Sequence, residues 1–136
     1  MAQNIKLEVV TPEKSVIDEE VQIVMAPGII GEFGVLAGHT PFLTSLKTGS
    51  VTYKDLKGSD NYIFVSEGFA EALPDKVTIL TQSAEKGLDI DVSRAKDSKE
   101  RAERRLSGTE ADDVDFERAR ISLQRAIHRL HIAESI

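Results

Sequence analysis

The residue pattern changes near Gly87, and this change constrains the fold more than any other feature of the chain. Residues 1–86 contain seven lysines and no arginine, whereas all eight arginines lie between Arg94 and Arg129. Short β-branched segments separated by turn residues fill the first part, and an apolar period of about 3.6 residues fills the second. The pattern therefore predicts two domains, residues 1–86 and residues 87–136.

The first part has the pattern of a series of strands. The predicted strands are IKLEVV, VQIVMA, SVTY, NYIFVSEGF, FAEAL and KVTILTQS. TPEKSVIDEE carries turn residues and is predicted to separate the first two strands, and KGSD is predicted to form a hairpin turn. Many short strands without a long helical pattern indicate an antiparallel β-sandwich or a barrel.

Two helices are predicted in the second part. Asp91 is suited to cap the first helix, which runs to about Leu106. Thr109 or Asp112 is suited to cap the second, which spans about residues 114–133. Because the connection between them is short, we expect an antiparallel helical hairpin.

The apolar surface of this hairpin is too small for a self-sufficient domain. Fully burying four large apolar side chains of the second helix contributes on the order of 8 kcal/mol. Ordering about fifty residues costs several times more. We therefore expect the hairpin to rest on the sandwich, on a partner, or on each in turn. The stripes expected to be buried are Ala95, Ala102 and Leu106 in the first helix, and Phe116, Ala119, Leu123, Ala126, Ile127, Leu130 and Ala133 in the second.

Charge and composition exclude several classes of function. A net charge of −6 argues against general binding of nucleic acid or of anionic lipid, because both need a cationic surface. The absence of cysteine removes disulfides, thiol nucleophiles and sulfur ligands for metals. No segment approaches the roughly 20 apolar residues that span a bilayer, and the N-terminus lacks a signal-peptide pattern. We expect a soluble protein without direct membrane insertion.

The glycine-rich segment GEFGVLAGHTPFLTSLKTG, residues 31–49, raises the question of a site. Its glycines match neither phosphate-binding pattern, and His39 has no serine or cysteine nucleophile to serve. Tight turns between short strands, with His39 capping one of them, explain part of the segment. Apolar residues on a loop stiffened by glycine and proline favour a contact surface for another protein. We predict no catalytic residue here.

The second part carries histidines and arginines in helical register. His128, His131 and Glu134 have a spacing that metal ligands use, but histidines near a helix C-terminus are also favoured by the helix dipole, and we predict no metal site. The arginines form one stripe on each helix, with equal offsets. Ion pairs on a solvated face explain part of this pattern, whereas the choice of arginine favours contact with phosphate or carboxylate. The stripes are Arg94, Arg101 and Arg105, and Arg118, Arg125 and Arg129.

Four segments carry a resemblance to a known family. GEFGVLAGHTPFLTSLKTG, EGFAEALPDKVTILTQSAE, DIDVSRAKDSKERAERRL and RAIHRLHIAE resemble the epsilon subunit of bacterial F1Fo ATP synthases, and the resemblance runs nearly end to end. It implies a ten-stranded β-sandwich followed by two C-terminal helices. It also implies a non-catalytic rotor subunit of the central stalk, at the cytoplasmic face of the bacterial plasma membrane as part of the F1 sector.

The resemblance implies partners and contact residues as well. The sandwich of this family binds the gamma subunit and sits on the ring of c subunits. Glu32 and His39 match the polar contacts with loops of that ring, and Leu43 is a weaker candidate. Ala37 departs from the proline that the family usually has there. An extended hairpin in this family blocks ATP hydrolysis, and its basic positions then meet acidic segments of the beta subunits, next to the alpha subunits.

The resemblance further implies ATP as a regulatory ligand, without any required cofactor. Several members bind ATP through an I/L-D-x-x-R-A motif, which IDVSRA matches here. The residues that match this site are Glu85, Ile90, Asp91, Arg94, Ala95, Arg101, Arg125 and Arg129. An alternative interpretation is a free-standing ATP-sensing module without a rotary partner. An enzyme is a weaker one, because the sequence offers no nucleophile–base pair.

Overall fold

Nine strands occupy the first part of the chain in a computed structural model, which describes residues 3–108 and 113–136. The chain forms two compact units, residues 1–86 and residues 87–136. The strands of the first unit are β1 Ile5–Val10, β2 Ser15–Pro27, β3 Glu32–Val35, β4 Phe42–Leu46, β5 Gly49–Asp55, β6 Asp60–Val65, β7 Gly68–Ala72, β8 Lys76–Thr81 and β9 Ala84–Lys86.

The strands pair in the order β4-β7-β8-β1-β2-β5-β6-β9, and β3 pairs with β2. This arrangement is the predicted β-sandwich, with one correction. The pairing of β1 with β8 is parallel, whereas the sequence was interpreted as wholly antiparallel. A parallel pair needs a long connection, and these two strands are far apart in sequence, so local patterns could not reveal it.

Alternation along the strands builds the core. Ile5, Leu7 and Val9 of β1 are fully buried, and the residues between them face outward. The predicted turn TPEKSVIDEE is wrong over its second half, because β2 already begins at Ser15. There Ile17 turns inward opposite Val9, and this burial outweighs the turn propensity of the charged neighbours.

The hairpin turn predicted at KGSD is confirmed between β5 and β6. Gly58 has a φ of 84°, which L side chains rarely adopt. The Asp55 carboxylate accepts hydrogen bonds from the backbone amides of Lys57 and Ser59 at 2.9 and 3.0 Å. These bonds close the turn and fix the register of the two strands.

The second unit is a helical hairpin. A 3-10 turn, Gly87–Asp89, precedes α1, Val92–Ser107, and α2, Asp113–Glu134, packs against α1. Because only residues 108–112 connect the two helices, they run antiparallel. The predicted cap at Asp91 is confirmed, since its carboxylate accepts the Arg94 amide at 3.0 Å. The predicted cap of α2 at Thr109 or Asp112 lies outside the described residues.

The buried stripe of the hairpin differs from the prediction on α2. Phe116 and Ile127 remain 48% and 45% exposed. Both lie roughly 60–80° around the helix from Ala119, so they fall at the flank of the stripe. Small side chains occupy the buried stripe instead. Ile132, which the prediction omitted, is also buried, near the end of α2. The buried alanines are Ala95 and Ala102 of α1, and Ala119 and Ala126 of α2.

Over the described residues, no helix combines the length with the apolar character that crossing a bilayer requires.

Candidate functional site

The turn between β2 and β3, residues 28–31, is held tightly to the sheet. A Cβ on Gly28 would lie 2.6 Å from the Gly31 carbonyl oxygen, so only glycine fits there. The Gly31 amide donates to the Gly28 carbonyl at 3.1 Å, and the Ile29 amide donates to Ser45 of β4 at 3.0 Å. The turn therefore presents two isoleucines to solvent on a fixed backbone.

An apolar groove of about 830 Å³ opens on the outer face of the sheet beside this turn. Strand register places its apolar side chains in one row, because Phe69 of β7 pairs with Leu80 of β8, and Leu80 pairs with Val10 of β1. Ile29, Phe69 and Leu80 remain 64%, 55% and 53% exposed. We use "apolar groove" for the surface lined by Val10, Pro12, Ile29, Leu46, Phe69 and Leu80.

Two residues away from the groove along the strands, the same outer face carries charged side chains. Lys6 pairs with Asp18 at 3.1 Å, and Lys76 pairs with Glu8 at 3.0 Å. The Glu8 carboxylate, by hydrogen bonding and by charge, raises the pKa of Lys76 above its ordinary value. Exposed apolar residues are therefore grouped in the groove at one end of the face, which is the composition expected of a protein-binding patch.

A buried hydroxyl network joins the strands at the end of the groove. The Thr81 hydroxyl donates to the Ser66 carbonyl at 2.8 Å, and the Ser83 amide donates to the Ser66 hydroxyl oxygen at 2.9 Å. Ser66 is fully buried, and Thr81 is 6% exposed. Satisfied buried polar groups of this kind fix the position of Gly68 and Thr81, which line the groove.

The glycine-rich loop between β3 and β4 is braced on the loop after β7. The Gly38 amide donates to the Pro74 carbonyl at 2.6 Å, and Gly38 has a φ of 84°. The half-buried ring of His39 donates from Nδ1 to the Thr40 carbonyl at 2.7 Å and packs edge-on against Phe42, with 5.1 Å between centroids. His39 thus makes a local hydrogen bond to its neighbour and keeps part of its ring in solvent.

The three predicted ring-contact residues lie on different elements. Glu32 begins β3 and is exposed, His39 lies in the loop beyond the other end of β3, and Leu43 of β4 is 69% exposed. Because β3 has four residues, Glu32 lies about 10 Å from the start of that loop. The structure therefore presents these residues as separate contact points.

The motif IDVSRA forms the start of α1. Ile90 and Ala95 are buried, at 8% and 4% exposure, and Asp91 is engaged as the helix cap. Asp91 and Arg94 are both exposed, but the Asp91 carboxylate is already engaged with the Arg94 backbone amide. Helix initiation therefore accounts for three motif residues, and the Arg94 side chain is the one placed to meet a ligand.

The other residues of the predicted ATP site have varied surroundings. Arg101 donates from Nη2 to the Ser98 hydroxyl oxygen at 3.2 Å, about 10 Å along α1 from Arg94. The buried Nε of Arg125 has no hydrogen-bond partner among the described residues. Antiparallel packing puts Arg94, Arg125 and Arg129 at the same end of the hairpin, and Glu85 belongs to β9 of the first unit. Within the described residues, no three His, Asp or Glu side chains are placed to hold a metal.

Comparison with known protein families decides the relationship. Residues 4–87 match the model of the ATP synthase delta/epsilon chain β-sandwich domain, and residues 89–134 match that of its long α-helix domain. The ATP synthase epsilon chain of Syntrophobacter fumaroxidans is 53% identical over 135 residues, 99% of each chain. The chain belongs to the ATP synthase epsilon-chain family.

Another epsilon chain has a higher identity over a shorter span. The epsilon chain of Desulfosudis oleivorans is 59% identical over 106 residues, covering 78% of this chain and 80% of its own length. A chain of the Euglena gracilis mitochondrial ATP synthase, from a structure of OSCP, F1 and c-ring, has a TM-score of 0.82 at 24% identity. The match covers 96% of this chain and 81% of that one. At this identity the likeness shows the fold.

Sequence reasoning missed the apolar groove and the isoleucine turn of this epsilon-family chain. Phe69 and Leu80 were assigned to strands without regard to which face they occupy. A signal was present, because each follows the alternation of its strand onto the face opposite buried Ala70 and Ile79. Ile29 could not be found in this way, since it lies in a turn.

Proposed function

We propose that the chain is a non-catalytic rotor subunit of the ATP synthase central stalk, which joins the gamma subunit to the c-ring. Membership of the epsilon-chain family supports this role. The observation that most supports this proposal is the apolar groove, because a stalk subunit must present a permanent docking face for a protein partner. The glycine-rich loop between β3 and β4 supplies a second contact surface, which is formed by other elements than those that line the groove.

The gamma subunit docks in the apolar groove. The exposed row of Phe69 and Leu80, together with Ile29, offers the apolar centre of an interface. The ion pairs further along the same face provide a polar border. This division into an apolar centre and a polar rim is the usual anatomy of a stable protein interface.

Titration of purified gamma with the full chain tests this role. Phe69→Ser combined with Leu80→Ser should weaken binding by about tenfold or more, because both side chains would be desolvated in the complex. Leu56→Ser is the matched control, since Leu56 is 53% exposed but lies outside the groove. Equal affinity for the groove variant and the control would reject the docking face. A monomer indifferent to gamma would favour the free-standing sensor.

The c-ring contacts a different set of exposed residues. Glu32 offers a carboxylate, His39 a partly exposed ring, and Leu43 an apolar side chain. The bracing of the loop by the Gly38–Pro74 hydrogen bond reduces the entropy lost on binding. We place this contact, and with it the F1 sector, at the cytoplasmic face of the bacterial plasma membrane.

The hairpin regulates hydrolysis and senses ATP. Arg94 is exposed at the start of α1, where the helix dipole also favours an anion. The unpartnered Nε of Arg125 at the same end of the hairpin could donate to a phosphate. ATP would stabilise one position of the hairpin, and without ATP the basic stripe would engage the beta and alpha subunits and inhibit hydrolysis.

Calorimetric titration of the full chain with ATP tests the regulatory part. Arg94→Ala and Arg125→Ala should each weaken ATP binding by about tenfold, the usual cost of losing one charge-assisted contact. Arg104→Ala is the control, because Arg104 is exposed on α1 but outside the motif. A wild-type chain without saturable heat at millimolar ATP would reject ATP sensing and leave the stalk role intact.

A further inference from the structure

Two hydroxyl side chains are buried where the chain passes from β8 to β9. Ser66 is fully buried and Thr81 is 6% exposed, and they are the two buried polar side chains among the described residues. A buried hydroxyl costs free energy unless it is hydrogen-bonded, and an apolar side chain would fill the same space without that cost. The choice of hydroxyls at this corner therefore calls for a reason beyond packing.

The hydrogen bonds of this hydroxyl network converge on Ser83, the residue that precedes β9. The Ser66 amide donates to the Ser83 carbonyl at 3.0 Å, and the Ser83 amide donates back to the Ser66 hydroxyl oxygen at 2.9 Å. The Thr81 hydroxyl oxygen lies 3.2 Å from the Ser66 hydroxyl oxygen and 3.2 Å from the Ser83 carbonyl oxygen. The start of β9 is therefore held by side chains as well as by its strand pairing.

β9 is a short strand at the end of the sheet order. It pairs with β6 over three residues, and its sequence, Ala-Glu-Lys, contributes one small apolar side chain, that of Ala84, to the core. Segments that bury little apolar surface can open locally while the rest of a fold stays closed. The second unit begins directly after β9, at Gly87, so β9 is the last strand before the helical hairpin.

We propose that the hydroxyl network is a latch on β9, and that release of this latch lengthens the connection to the helical hairpin. With β9 paired, the sheet holds the chain as far as Lys86, and with β9 detached it holds the chain only as far as Thr81. The residues between these two points, 82–86, span roughly 16 Å when extended. The hairpin would then reach farther from the sandwich without the unfolding of either unit.

The apolar groove gives a docked protein control of this latch. Thr81 and Gln82 line the groove, so a protein bound there covers the corner that leads into β9. This part of the inference rests on the proposed function, in which the docked protein is gamma. Because gamma would bind the latched form, a free concentration of ten times its dissociation constant should make the opening of β9 about tenfold rarer.

Amide hydrogen exchange of the full chain tests the latch. In the wild type, the amides of β9 should exchange faster than those of β1, because β9 opens without the rest of the sheet. Thr81→Val should speed exchange in β9 about tenfold, the effect of losing one buried hydrogen bond. Thr78→Val is the matched control, because Thr78 lies on the same strand outside the hydroxyl network, and it should leave β9 within about twofold of the wild type. Ser83→Ala, a milder variant, should speed exchange in β9 by a smaller factor.

The same exchange measurements can overturn the latch or its control by the groove. Amides of β9 that exchange as slowly as those of β1 would show no separate opening and reject the latch. Unchanged exchange of β9 in Thr81→Val and Ser83→Ala would reject it as well. Exchange of β9 that bound gamma does not slow would reject control from the groove. A wild-type chain that does not bind gamma would reject the proposed function and this control, whereas the comparison of variants would still decide the latch.

Discussion

Gly68 shows how one residue positions the groove. A Cβ at this position would overlap the carbonyl oxygen of Leu80 on the neighbouring strand and lie 2.9 Å from the Thr81 Cα. Because these are backbone atoms, β7 and β8 would have to separate. The row formed by Phe69 and Leu80 depends on that close approach.

We expect Gly68→Ala to lower the free energy of unfolding by about 1–3 kcal/mol, as other overpacking substitutions do. Gly108→Ala is the matched control, because Gly108 has a φ of −76° and no atom lies closer than 3.5 Å to its added Cβ. That variant should change the free energy by no more than about 1 kcal/mol. Urea denaturation followed by circular dichroism measures both. Equal values for the two variants would contradict the close approach of the strands.

Asp55 is a single residue that makes the stability of the fold depend on pH. Hydrogen bonds from the Ser59 amide, the Asn61 side chain and the Lys57 amide lower the pKa of Asp55 below its ordinary value of 3.8. Since the folded pKa is depressed, the carboxylate stabilises the fold above the unfolded value. This contribution is lost as the pH falls through the folded pKa.

The expected result is a lower melting temperature for Asp55→Ala than for the wild type at neutral pH. The gap should close as the pH falls below 3.8, where the wild-type carboxylate also becomes protonated. Asp55→Asn, which keeps an acceptor oxygen, should lie between the two. Thermal melts over a pH series measure this, and a gap that stays constant into acid would show that charge on Asp55 has no role.

At the scale of elements, the two units differ in what stabilises them. The strands of the first unit enclose a core that includes fully buried Ile5, Leu7, Val65 and Ile79. The helices of the second unit bury mainly alanines along their contact line. An alanine removes little apolar surface from water, so the hairpin gains less hydrophobic stabilisation than the sandwich.

Separate fragments of the two units should therefore differ in how cooperatively they unfold. Residues 1–86 should unfold cooperatively on heating, because their core is self-contained. Residues 87–136 should show weak, non-cooperative helicity in the same buffer, since most helical stability in proteins comes from the packing of an apolar face. Circular dichroism melts of both fragments and of the full chain compare them. A sharp transition in the helical fragment would refute the expectation that the hairpin depends on a support.

The elements that sequence could predict are those with a strong local signal. The cap at Asp91, the hairpin turn around Gly58 and the alternation in IKLEVV all follow from nearby residues. The start of β2, the parallel pair of β1 with β8 and the exposed flank with Phe116 depend on distant partners. The outward position of Phe69 and Leu80 could be predicted from the alternation of each strand, but their meeting in one row could not, because the row crosses three strands.

For the whole molecule, the proposed function requires permanent contacts of the sandwich and reversible contacts of the hairpin. The groove, Glu32 of β3 and the loop that carries His39 all belong to the first unit, whose sheet and core suit a part that keeps the same partners. The alanine-lined hairpin carries the arginines, which suits a part that changes partners. This proposed division agrees with the position of all eight arginines after residue 87.

The most direct test of the bridging role is the affinity of gamma for c-ring nanodiscs, measured with and without this chain. A subunit that contacts both partners should tighten gamma binding by at least about tenfold, since the second contact becomes intramolecular. A chain carrying Phe69→Ser and Leu80→Ser together should lose this effect. If gamma binds the ring equally well with and without the wild-type chain, the central claim is wrong.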